Sequence, residues 1–217
     1  MLSDLPKFHY ITGKSAKSTY NKLIEDACMA GVELVHLKVL GLEYDDWLET
    51  ARYARDYCEM YGVKLVVHNH PRIAKEVQAY ALYLDKGESP AAARAMIGEN
   101  IILGATAYNG EDVQRLIEEG VDYIGIGPFK PTEDKMISAP PLGIEGLQEV
   151  VNQLEASFFK LPLIAFGGIE HDDVISIMKT GVHGIGVGNG INKAARRQLI
   201  TQEYLALVED SLLPDDE

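Results

Sequence analysis

Pro162-Leu163-Ile164-Ala165-Phe166-Gly167-Gly168-Ile169 and Gly184-Ile185-Gly186-Val187-Gly188-Asn189-Gly190-Ile191 are the two stretches that decide how this 217-residue chain folds. Each is a short apolar run that ends on glycine, and each leads into a segment with helical periodicity. The same unit recurs toward the N-terminus, with expected strands at Phe8–Thr12, Leu34–Lys38, Lys64–His68, Leu82–Leu84, Ile101–Leu103 and Tyr123–Ile126. Between strands, segments such as Tyr44–Tyr61 place apolar residues three and four apart with charges opposite, the pattern of a helix covering one face of a sheet. Gly31, Gly62, Gly120 and Gly181 stand where such helices close, a position that favours a left-handed residue.

Eight strand–helix units with short connections imply parallel strands and crossover helices. The count of eight, without a compositional break, points to an α/β fold of the (β/α)8 TIM-barrel type, with a doubly wound open sheet as the alternative. Residues 1–217 are expected to form one domain with a frayed acidic tail over 210–217.

Hydrophobic residues make up 47 % and charged residues 24 %, a globular balance. The formal net charge is −13, and no basic stripe interrupts it, which argues against a nucleic-acid partner. An anionic ligand must then be held by a local site rather than by the overall field. Cys28 and Cys58 have no CxxC spacing and read as buried, inert thiols. The N-terminus has neither a basic region nor an apolar core of a signal peptide, and no apolar run reaches membrane-spanning length. A cytoplasmic protein without a membrane partner is expected.

In a barrel of this type, ligands sit where strands end and loops begin. His36 and Lys38 alternate onto one face at the end of the second strand, and His68 and His70 repeat the spacing at the third, with Asn69 between them. An imidazole group near neutrality is suited to proton transfer. As a metal motif the histidines are incomplete, since His171 opens a helix and His183 lies in the last strand. The loop Gly127-Pro128-Phe129-Lys130-Pro131-Thr132-Glu133-Asp134-Lys135 reads as a lid or binding loop, with Lys130 and Lys135 able to meet an anion. Gly167 and Gly168 after the seventh strand, with Gly188 and Asn189 after the eighth, let backbone N–H groups approach a phosphate. Thr12-Gly13-Lys14-Ser15 lacks the GxxxxGK[ST] spacing and is set aside as a phosphate loop.

GIGPFKPTEDK (Gly125–Lys135) resembles the GPxxPTxTK loop of the thiamine phosphate synthase/TenI family. LPLIAFGGI (Leu161–Ile169) and GVHGIGVGNGI (Gly181–Ile191) resemble its P(V/L)xAIGGI and GAxGVAVxSAI segments. The resemblance runs in register from about Phe8 to Ile191. It implies thiamine biosynthesis: a hydroxymethylpyrimidine diphosphate is joined to a thiazole phosphate with release of pyrophosphate, with Mg2+ as cofactor. By position, Lys135 is the lysine that contacts pyrophosphate, Thr106 replaces a serine, and Glu88 stands at a magnesium-binding aspartate. Gly168, Gly188 and Asn189 cradle the thiazole phosphate. The family's QxRxK reads here His36-Leu37-Lys38-Val39-Leu40, so an arginine fork becomes Lys38 and a lysine becomes Leu40. Its Asn-Asp pair reads His68-Asn69, an amide in place of a metal carboxylate. Two alternatives accompany this reading. One is a TenI-type thiazole phosphate tautomerase, in which Tyr108 takes the place of that enzyme's histidine and His36, His68 and His70 offer acid–base groups. The other is a catalytically silent phosphate-binding protein. The expected partner is a phosphorylated small molecule, and a homodimer is compatible with the reading.

Overall fold

In the computed structural model the described residues are 4–15, 18–132, 139–156 and 160–213. Eight parallel strands close in sequence order: β1 (Phe8–Ile11), β2 (Leu34–Leu37), β3 (Lys64–His68), β4 (Ala81–Leu84), β5 (Ile102–Ala107), β6 (Tyr123–Ile126), β7 (Leu163–Phe166) and β8 (Gly184–Val187). The ring closes through β1 and β8, with His9 opposite Gly186. The open-sheet alternative is thereby excluded.

Helices return the chain between strands: α1 (Tyr20–Met29), α2 (Tyr44–Tyr61), α3 (Pro71–Glu76), α4 (Pro90–Ile97), α5 (Gly110–Glu118), α6 (Gly143–Glu155) and α7 (Val174–Met178). A four-residue helix, α8 (Asn189–Asn192), follows β8, and α9 (Arg197–Asp210) completes the outer ring. Local chemistry fixes their ends. Thr19 accepts from the Lys22 N–H at the start of α1, Ser89 from Ala92 at α4 and Asn109 from Asp112 at α5, caps worth about 1 kcal/mol each. Gly62, left-handed at φ 68°, closes α2. Residues 214–217 of the acidic tail lie outside the described residues. Among the described residues, no helix is long and apolar enough to cross a membrane.

Two cores result. The larger lies between strands and helices and includes Cys28 and Cys58, both buried with free thiols. The smaller fills the barrel interior with Leu34, Val66, Ala81, Tyr83, Ile102, Tyr123 and Ile164, and Leu5 belongs to it. β5 extends well past the expected Leu103. Its second half, Gly104-Ala105-Thr106-Ala107, is too small to signal a strand, but small residues are needed there because a Cβ at Gly104 would overlap the Tyr123 ring. Tyr83 fills the corresponding space over Gly125.

Candidate active site

A cavity of about 780 Å³ opens at the C-terminal ends of the strands. Its volume is ample for two small ring compounds. Among the described residues, five lysines line it (Lys14, Lys38, Lys86, Lys130 and Lys193) against two carboxylates, Asp85 and Glu170. An acidic chain has thus gathered cations around one opening, with Lys38 paired to Asp85 and Lys86 to Asp112.

One wall is backbone. Gly167 and Gly168 follow β7 with φ of 90° and 73°, and Gly188 precedes α8. Among the described residues, the N–H groups of Gly168, Gly188 and Asn189 donate to no backbone carbonyl, so they remain available to an anion. The loop after β6 packs onto this wall: Phe129 N–H donates to Phe166 O at 2.8 Å and Lys130 N–H to Gly167 O at 3.0 Å. A Cβ at Gly168 would lie 2.8 Å from Lys130 Cβ, so only glycine permits the approach. Lys130 Nζ pairs with Glu170 (3.2 Å) and Asp173 (2.8 Å) at the rim. Asn192 holds α8 against β1. Its Oδ1 accepts from Tyr10 Oη at 2.5 Å, and its Nδ2 donates to Ile11 O at 3.0 Å.

The floor is a chain of three buried imidazoles from adjacent strands. His9 Nδ1 lies 2.8 Å from His36 Nε2, and His36 Nδ1 lies 2.7 Å from His68 Nε2. At the deep end, His9 Nε2 lies 3.0 Å from Pro6 O. A carbonyl only accepts, so His9 Nε2 carries the hydrogen. Burial pushes His9 and His68 down to about 3 and His36 well below its ordinary value, so all three are neutral at pH 7. The remaining hydrogens then follow in order. His9 Nδ1 accepts from His36 Nε2–H, His36 Nδ1 accepts from His68 Nε2–H, and His68 Nδ1 is left as a lone pair. That atom is buried without a hydrogen-bond partner. Tyr83 packs its ring 4.8 Å from His68, and Thr106 donates to Tyr83 Oη at 3.0 Å.

Across from His68 stands Asp85. Its Oδ1 lies 3.9 Å from His68 Nδ1, while its Oδ2 accepts from Asn69 Nδ2 at 2.8 Å and faces Lys38 Nζ at 3.4 Å. Burial alone would raise the carboxyl, but the neighbouring His68, then Lys38 and the Asn69 hydrogen bond, overcome it and hold Asp85 below the usual carboxylate range.

The structure brings His36, Lys38, His68, Thr106, Tyr108, Gly167, Gly168, Gly188 and Asn189 together around the cavity. Asn69 stands behind it, orienting Asp85 from a left-handed φ of 50°. The expectation that His70 shares a face with His68 is corrected. β3 ends at His68, His70 caps α3, and its ring packs against Tyr44 and Trp47 under α2, outside the cavity lining. Lys135 lies outside the described residues. His9, Asp85 and Lys86 went unread in the sequence. Asp85 and Lys86 directly follow β4, so the strand-end criterion alone singles them out. His9 sits mid-strand, and only the ring closure reveals that it faces inward.

The residues present do not fit a carboxylate-held magnesium ion. Glu88 is exposed and outside the cavity lining, the Asp85 Oδ2 is occupied by Lys38 and Asn69, and among the described residues no three metal-ligating side chains cluster.

The chain matches the family described as thiamine monophosphate synthase over residues 8–191. It is 32 % identical over 189 residues to a thiamine-phosphate synthase of Phocaeicola vulgatus, covering 87 % of this chain and 91 % of the relative. It is 31 % identical over 202 residues to one of Flavobacterium psychrophilum, covering 90 % and 96 %. Among solved structures, thiamine phosphate pyrophosphorylase from Pyrococcus furiosus superposes with a TM-score of 0.85 at 26 % identity, covering 95 % of this chain and 96 % of that one. With the family match running from residue 8 to residue 191 and a relative 32 % identical along 87 % of the chain, this protein belongs to the thiamine monophosphate synthase family.

Proposed function

We propose that this protein forms thiamine phosphate, joining a hydroxymethylpyrimidine diphosphate to a thiazole phosphate with release of pyrophosphate. The observation that carries the reading is the pairing of two anion-binding walls in one cavity. The unpartnered amides of Gly168, Gly188 and Asn189 suit a phosphate monoester, and the lysines toward β2 and β4 suit a diphosphate.

The roles follow from placement. The glycine wall fixes the thiazole phosphate, and α8, anchored by Asn192, carries the Asn189 amide with Gly188 as its cap. Lys38 and Lys86 neutralise charge that builds on the departing pyrophosphate, an electrostatic contribution that grows as the carbon–oxygen bond breaks. His36, His68, Tyr83 and Tyr123 supply a flat, water-poor floor for a ring. Holding both rings in one cavity turns a two-body encounter into a local one. The family resemblance implies magnesium. Because the residues here do not fit it, no step is assigned to it and the lysines carry the neutralisation.

The test is incubation of the purified protein with both substrates, with pyrophosphate and thiamine phosphate measured in equal amounts. Neither product at high enzyme concentration would overturn the reading.

A further inference from the structure

His68 Nδ1 and Asp85 Oδ1 face each other at 3.9 Å, and both are acceptors. The other oxygen of Asp85 is taken by Asn69 and Lys38, and the other nitrogen of His68 donates into the imidazole chain. A buried acceptor opposite a carboxylate, with no hydrogen between them, is an unsatisfied arrangement that a donor would relieve. We propose that this gap is a recognition site for the amino group of a heteroaromatic ligand, whose two hydrogens reach His68 Nδ1 and Asp85 Oδ1. His9 acts as the positioning residue that keeps His68 Nδ1 without a hydrogen.

The positioning argument is geometric. The Pro6 carbonyl demands a hydrogen on His9 Nε2, and each imidazole passes that demand to the next with its polarity preserved. The acceptor at the cavity is therefore set by a carbonyl three rings away. Without His9, His36 loses the acceptor that orders it, and His68 is free to place its hydrogen on Nδ1 toward Asp85. That tautomer closes the gap and excludes the amine. Tyr83 at 4.8 Å and His36 at 5.0 Å from the His68 ring provide flanking faces against which a flat ring packs.

The identity of the amine as a pyrimidine substituent rests on the function proposed above, while the tautomer order does not. The experiment separates the two. Nitrogen-15 histidine spectra at pH 7.5 are recorded for the whole protein, alone and with 4-aminopyrimidine or 4-(dimethylamino)pyrimidine, the second having no donor hydrogen. His68 Nδ1 is expected to be unprotonated in the free protein and to shift with 4-aminopyrimidine alone. His9→Phe is expected to yield mixed His68 tautomers and about tenfold weaker 4-aminopyrimidine binding. His9→Gln, whose amide both accepts and donates, is expected to restore both readouts. A protonated Nδ1 in the wild-type protein, an equal response to the two pyrimidines, or a shift caused by magnesium alone would overturn the proposal. Should His9→Phe fail to fold, the wild-type and His9→Gln spectra decide. A selective response to 4-aminopyrimidine without synthase turnover would sink the proposed reaction and leave the recognition site standing.

Discussion

Lys38 Nζ lies 3.4 Å from Asp85 Oδ2, tying the end of β2 to the end of β4 across the cavity mouth. Both side chains are largely sheltered, so removing the cation leaves a half-buried carboxylate uncompensated. Lys38→Met is expected to lower kcat/KM for the pyrimidine diphosphate by about 10- to 100-fold, a loss of ~1.4–3 kcal/mol. Lys38→Arg should keep a large part of it. Steady-state kinetics of pyrophosphate release check this, and unchanged kinetics in Lys38→Met would remove Lys38 from the site.

Gly168 and Gly120 have nearly the same left-handed φ, 73° and 74°, but of the two only Gly168 is crowded by a neighbour and lines the cavity. Both Gly→Ala variants should lose about 1 kcal/mol of stability from backbone strain alone. Gly168→Ala is expected in addition to raise KM for the thiazole phosphate about tenfold, whereas Gly120→Ala leaves it unchanged. Equal KM values in the two variants would show that the wall does not bind phosphate.

Acid should unfold the protein through its imidazole chain. His9, His36 and His68 are buried neutral with pKa values below that of the unfolded chain, so the unfolded state binds more protons at low pH. The contribution of His9 and His68 is fully present above pH 6.5 and is lost as the pH falls toward about 3, and that of His36 is lost in the same direction. Each such histidine adds a slope of about 1.4 kcal/mol per pH unit within that window. Denaturant titrations from pH 7 to pH 4 check the sign, and stability that holds constant over this range would contradict the buried chain.

Asn192 is 3 % exposed and satisfies both Tyr10 Oη and Ile11 O. Asn192→Ala strands a buried hydroxyl and frees α8, at an expected cost of about 1–3 kcal/mol. KM for the thiazole phosphate should rise with it, because α8 carries the Asn189 amide. A thermal melt together with the KM measurement checks both halves.

The barrel was legible because its signal is repetitive: eight apolar runs with helical periodicity between them, and glycines at the turns. The glycine wall was legible for the same reason, since backbone needs leave their mark in glycine. The floor was not. His9 carries no neighbour in sequence to flag it, and three histidines become one chain only when β1, β2 and β3 lie side by side. His70 misled because alternation assumes that the strand continues, whereas Pro71 at the first position of α3 ends it.

The residues just before β1 deserve to be counted as part of the chemistry. Leu5 joins the interior core and its carbonyl meets His183 Nε2 at 2.7 Å, Pro6 orders the imidazoles, and the Lys7 carbonyl accepts from Ile185. The bottom of the barrel thus programs the polarity of its top. A trimmed N-terminus that spares every strand would still rewrite which atom His68 presents to the cavity.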